Sequence, residues 1–144
     1  MILYAESSAV LAWLLGEPRA ALTERALRDA SLVVTSTLTS AECSRAILRG
    51  AALGAISRTR AQALVRSLGE WDAGCDRLEI SDRVLARASA PFSCEPIGTL
   101  DAIHVASAAL IQAELGAVTV LSYDDRVRAN AAALGMSLLP PAGP

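Results

Sequence analysis

The stretch Leu100-Asp101-Ala102-Ile103-His104-Val105-Ala106 sets one acid at the head of a long, alanine-rich apolar run. Its pattern reads as a helix from Asp101 to Leu115, capped by Thr99 and ended by Gly116. Three other carboxylates occupy comparable places: Glu6, Glu42 and Asp124. Each follows or closely trails an apolar, strand-like run and falls in the first turn of a helical pattern. In a parallel sheet such places converge beyond the carboxyl ends of the strands. Four carboxylates brought together repel one another and call for cations.

The strand-like runs are Ile2-Leu3-Tyr4-Ala5, Leu32-Val33-Val34-Thr35, a weaker Arg77-Leu78-Glu79-Ile80, Val118-Thr119-Val120-Leu121 and a short Met136 to Leu139. Helical patterns fill the intervals. Glu6-Ser7-Ser8 opens one through Leu15, with Ser7 or Ser8 as the cap, and Gly16-Glu17-Pro18 breaks it. The next runs to about Asp29. Thr39-Ser40-Ala41-Glu42 has capping-box spacing and opens a helix to Leu53. Others run from Ser57 to about Leu68, from Asp82 to Ala90, and from a Ser122 cap to Leu134. Strand and helix alternate, so the fold class is α/β with a mostly parallel sheet. At 144 residues the chain is read as one domain over 1–139 with a proline-rich tail at 140–144.

Hydrophobic residues make up 53% of the chain, which raises the question of a membrane span. The run from Ala9 to Leu15 is far short of the roughly 20 residues a span needs. The later apolar run is interrupted by Asp101, His104 and Glu114. Met1-Ile2-Leu3-Tyr4 has no basic residue and Glu6 follows at once, unlike a secretory signal. The three cysteines, Cys43, Cys75 and Cys94, lack zinc or disulfide-framework spacing, so a reducing, cytoplasmic setting is expected.

The net charge of −2 gives no global field for nucleic acid, but the charges are segregated. Between Ala30 and Gly69 stand Arg45, Arg49, Arg58, Arg60 and Arg66 against the single acid Glu42. Arg45 and Arg49 share a helix stripe with Glu42 and are candidates for RNA-phosphate or partner contact. An Arg45–Glu42 pair on a solvated face is the competing reading. His104 lies one turn after Asp101 and reads as a supporting or packing residue rather than a general base. Tyr4 and Trp13 read as core.

Taken singly, each acid could be no more than a helix-capping group. Their neighbours decide otherwise. Ile2-Leu3-Tyr4-Ala5-Glu6-Ser7-Ser8-Ala9-Val10-Leu11, with Gly16-Glu17-Pro18 after it, then Ser40-Ala41-Glu42, Leu100-Asp101-Ala102-Ile103-His104-Val105-Ala106-Ser107-Ala108, and Val120-Leu121-Ser122-Tyr123-Asp124-Asp125-Arg126 stand in one order. That series resembles the PIN domain, and within it the VapC-type toxin ribonucleases. The resemblance covers nearly the whole chain, and four motifs in register carry it.

The resemblance implies a three-layer sandwich, with a central, mostly parallel sheet of four to five short strands flanked by helices. It implies a metal-dependent endoribonuclease that leaves 5′-phosphate and 3′-hydroxyl ends, a cognate antitoxin partner and a homodimer. Glu6, Asp101 and Asp124 are then the metal ligands. Glu42 is a fourth ligand or an orienter of water, Ser122 holds a ligand in place, and Asp125 is in reserve. Carboxylate oxygens suit Mg²⁺, with Mn²⁺ as the alternative.

One residue departs from the family pattern, whose first acid is usually Asp: here it is Glu6. Its carboxylate reaches about one C–C bond, roughly 1.5 Å, further. A catalytically weakened, PIN-like RNA- or protein-binding module is therefore the alternative function. A response-regulator-type phosphotransfer protein shares the α/β order and the acids, but this chain has no Lys to complete such a site.

Overall fold

A strand buried on both faces needs apolar side chains at successive positions, and Ile2-Leu3-Tyr4-Ala5 provides them. The computed structural model describes residues 1–141. Within them the chain runs β1 (Ile2–Ala5), α1 (Ser7–Leu15), α2 (Ala20–Asp29), β2 (Leu32–Ser36), α3 (Thr37–Ala52) and α4 (Arg58–Ala73). It continues as β3 (Asp76–Leu78), α5 (Asp82–Ala88), α6 (Thr99–Leu115), β4 (Val118–Leu121), α7 (Asp125–Ala133) and β5 (Ser137–Leu139). All five strands pair parallel in the order β3-β2-β1-β4-β5. The expected α/β sandwich is the fold.

The strand order makes β1 the pivot. The chain winds outward from β1 to β3, then returns past β1 to β4 and β5. Right-handed crossovers in opposite directions put the two sets of helices on opposite faces. The packing follows this rule. Leu3 and Ala5 meet α1 to α4 through Ala9, Val10, Ala26, Cys43 and Leu68. Tyr4, Val34, Val118 and Val120 meet α6 and α7 through Ala102, Val105, Ala108, Val127 and Ala131. Period-two alternation along β1 thus feeds both layers. Full burial of a side chain such as Leu3 contributes about 1.5–3 kcal/mol. The unbroken buried run from Ala102 to Ala108 lets α6 be apolar nearly all round.

Several helix starts lie elsewhere than the sequence pattern suggests. Glu6, not Ser7 or Ser8, is the N-cap of α1 and accepts from the Ser8 amide. α3 begins two residues before Thr39, because Ser36 caps it through the Leu38 amide. The Thr39 hydroxyl instead accepts from Thr35 at 2.8 Å, so Glu42 is released from any capping duty. Gly98 rather than Thr99 stands at the N-cap of α6. Asp124 rather than Ser122 caps α7. α4 runs on to Ala73, past the expected Leu68.

Arg128 closes the β4–β5 edge by donating to the Ser122 carbonyl at 3.0 Å and to the Pro140 carbonyl at 2.8 Å. The beginning of the expected tail is therefore tied down; residues 142–144 of it lie outside the described residues. Among the described residues no helix is long and apolar enough to cross a membrane.

Candidate active site

In a doubly wound sheet the crevice opens where the strand order reverses, at the carboxyl ends of the strands. Here that point lies between β1 and β4. Glu6 directly follows β1, and Ser122 directly follows β4. The Glu6 amide donates to the Leu121 carbonyl at 3.0 Å, so the two strand ends are stitched together.

Glu6 is only 3% exposed. A buried carboxylate requires donors, and the chain supplies hydroxyls. Oε1 accepts from Ser7 Oγ at 2.6 Å and from the Ser8 amide at 3.0 Å. Oε2 accepts from Ser122 Oγ at 2.7 Å and from Ser8 Oγ. Ser8 Oγ in turn accepts from the Tyr123 amide at 2.8 Å, and Ser122 Oγ accepts from the Asp124 amide at 3.1 Å. A cage of serines therefore fixes the first acid and the loop after β4 together.

His104 lies beneath this cage, 1% exposed. Its Nε2 is 2.6 Å from Glu42 Oε2 and 3.9 Å from Glu6 Oε1. Its Nδ1 is 2.8 Å from the Tyr4 hydroxyl. Glu6, Glu42 and His104 each offer a ligand atom, and the three atoms lie within 4.8 Å of one another. Burial alone would push Glu42 up, but the His104 hydrogen bond and charge outweigh it, with help from Ser7, and hold the carboxyl below its ordinary value.

Asp101 stands in the first turn of α6 and is partly buried. Burial, followed by the charges of Asp124 and Glu6, pushes its pKa up; Arg126 and His104 offset only part. A Cβ at Gly98 would stand 3.2 Å from Asp101 Oδ2, so the backbone before α6 leaves this carboxylate little spare room. Asp124 Oδ1 accepts from the Arg126 and Val127 amides at 2.8 and 3.0 Å. Asp125 is exposed on the first turn of α7, with no part in the cluster. Arg45 and Arg49 are exposed and line a groove of about 660 Å³ with Ser7, Ser8, Glu42 and Leu100.

The donor set suits a divalent cation. Burial, followed by Asp124 and Glu6, raises Asp101, and carboxylates are hard oxygen ligands. The imidazole in their midst has a hydrogen-bond partner at each nitrogen, Tyr4 at one and Glu42 at the other.

The sequence pattern pointed to Glu6, Glu42, Asp101 and Asp124; Glu6 and Glu42 offer ligand atoms within 4.8 Å of each other and of His104, a group that does not include Asp101 or Asp124, while Asp101 feels the charges of Glu6 and Asp124. It read Tyr4 as core and Ser8 as a possible helix cap, and it treated His104 as support. The Ser-Ser pair directly after a buried acid was the available signal for the cage. No local signal marks Tyr4, because its partner lies 100 residues away.

Comparison with known proteins agrees with this architecture. The family model described as the PIN domain matches residues 3–133, and the chain belongs to that family. It is 34% identical over 139 residues to "Ribonuclease VapC46" of Mycobacterium tuberculosis (strain ATCC 25618 / H37Rv), covering 96% of this chain and 97% of that protein. Two solved structures share the fold. One, described as FitAB bound to an IR36 DNA fragment, gives a TM-score of 0.68 at 18% identity, covering 96% of this chain and 94% of that one. The other, VapBC2 from Rickettsia felis bound to a DNA fragment from its promoter, gives 0.65 at 10% identity, covering 96% and 97%.

Proposed function

We propose that this chain, acting as one domain over residues 1–139, is a VapC-type endoribonuclease that uses Mg²⁺ or Mn²⁺ to hydrolyse RNA. One observation carries the reading: Glu6 after β1 and Glu42 on α3 converge with His104 beside the switch point, and Asp101 on α6 feels the charges of Glu6 and Asp124. The family membership and the ribonuclease relative support it.

Glu6, Asp101 and Asp124 would hold the cation, and Glu42 would complete the set. A divalent ion in such a site acidifies water and offsets charge on the phosphodiester oxygens. The chain's own groups do the rest. The serine hydroxyls hold the Glu6 carboxylate in place. Glu42, held ionised by His104, is an acceptor for the proton of the attacking water. Arg45 and Arg49 grip backbone phosphates along the adjoining groove.

The relatives' descriptions as VapBC2 and FitAB support an antitoxin partner for this chain too, and a cytoplasmic setting belongs to the same reading. A groove of about 530 Å³ between α3 and α4, lined by Leu48, Ala51, Ala52, Ala61 and Val65, offers such a partner an apolar face. A homodimer belongs to the same reading.

A second reading has one observation in its favour. Both Glu6 oxygens already have two donors each, as in a site kept for structure and binding alone. Labelled RNA incubated with Mg²⁺, Mn²⁺ or EDTA separates the two. The enzyme cuts with cation, stops with EDTA and fails as Asp101→Asn. A binding module retains RNA uncut under both ions.

A further inference from the structure

The chain has a single histidine, and the reaction outlined above uses it only through its neighbour. His104 spans the molecule. Tyr4, fully buried on β1, meets Nδ1 at 2.8 Å, and Glu42 on α3 meets Nε2 at 2.6 Å. The two rings stand edge to face, with centroids 6.1 Å apart at 67°. One hydrogen-bonded chain thus joins the sheet, the helix of one layer and the helix of the other.

The Tyr4 hydroxyl has one hydrogen and stands within bonding distance of Nδ1, and an N–H at Nε2 points at Glu42 Oε2. Glu42 is the least buried member, with 24% of its side chain exposed beside the groove. Without the imidazole its side chain would turn freely toward solvent.

We propose that Tyr4 and His104 are positioning residues, a buried relay that occupies one oxygen of Glu42 and presents the other to the acidic cluster, setting its affinity for a divalent cation. The relay rests on the metal-dependent reading above, but its geometry can be tested apart from RNA cleavage. Partners of this kind typically contribute 10–100-fold in metal affinity.

The test uses the metal-free full-length chain, Tyr4→Phe, His104→Ala and His104→Gln. Ring ¹⁵N resonances should show a hydrogen-bonded N–H at Nε2 in the wild type and in Tyr4→Phe, with the Nδ1 resonance moved only in Tyr4→Phe. Calorimetric titration with Mn²⁺ should show His104→Ala weakened about 10–100-fold. Tyr4→Phe should be weakened several-fold. His104→Gln, which keeps an N–H for Glu42, should recover most of the loss. At limiting Mn²⁺ the cleavage kcat of Tyr4→Phe should fall and return at high Mn²⁺, with KM for RNA unchanged. Wild-type affinity in His104→Ala, or no recovery in His104→Gln, overturns the relay. So does a spin-echo spectrum showing nitrogen bonded directly to Mn²⁺. A chain that binds Mn²⁺ with these differences yet cuts no RNA keeps the relay and removes the nuclease. One that cuts RNA with unaffected variants does the reverse.

Discussion

Ser122 Oγ donates to Glu6 Oε2 at 2.7 Å, across 116 residues of chain and across the junction of β1 with β4. The same hydroxyl accepts from the Asp124 amide at 3.1 Å. One small side chain therefore holds two of the four acids in register.

Ser122→Ala removes both bonds and leaves a buried carboxylate short of a donor. The expected cost is about 1–3 kcal/mol, read by urea denaturation. Glu6→Asp should act in the same direction. The serine cage is built around the longer side chain, and a carboxylate drawn back by about 1.5 Å loses Ser122. Unchanged stability in both variants would contradict the cage.

Asp101 gives a pH signature. Its pKa is raised by burial, Asp124 and Glu6, so the folded chain binds this proton more tightly than the unfolded chain does. The resulting stability is full below the unfolded pKa and is lost as pH rises through the folded one. At neutral pH the ionised group therefore opposes folding of the metal-free chain. Asp101→Asn should raise the metal-free Tm at pH 7 by a few degrees, with the gain fading as pH drops below the carboxylate range, while RNA cleavage is abolished. A lower Tm at pH 7 would contradict the crowding of the acids.

Arg45 and Arg49 flank the groove beside Glu42. Replacing both with Ala should raise KM for RNA and leave kcat nearly unchanged. The slope of log affinity against log salt should become shallower by about 0.7 for each phosphate of the single strand that an arginine no longer neutralises. A fall in kcat at constant KM would place these residues in the chemistry instead.

Ser36→Ala should cost about 0.5–2 kcal/mol through loss of the α3 cap. Thr39→Ala should remove only the link to Thr35. The two denaturation curves distinguish the observed helix start from the one the sequence pattern suggests.

That helix start also shows where reading from sequence reached its limit. β1 and β4 were legible because buried parallel strands are continuous apolar runs, and the apolar face of α6 was equally plain. The beginning of α3 was not, because Thr39-Ser40-Ala41-Glu42 has capping-box spacing while the true cap, Ser36, ends a strand. The acids were legible through their order along the chain. The Tyr4–His104–Glu42 chain was not, since its links span 100 and 62 residues. Each member taken locally is an ordinary core tyrosine, helix histidine or first-turn acid. Only the sheet order brings them together.

The central claim is that acids distant in sequence share one divalent ion at the β1–β4 switch point. Anomalous diffraction from crystals soaked in Mn²⁺ tests it most directly. The account predicts a peak bounded by Glu6, Asp101 and Asp124, with Glu42 alongside, that disappears in Asp101→Asn. Mn²⁺ found only at separate surface carboxylates, with the crevice empty, would contradict it.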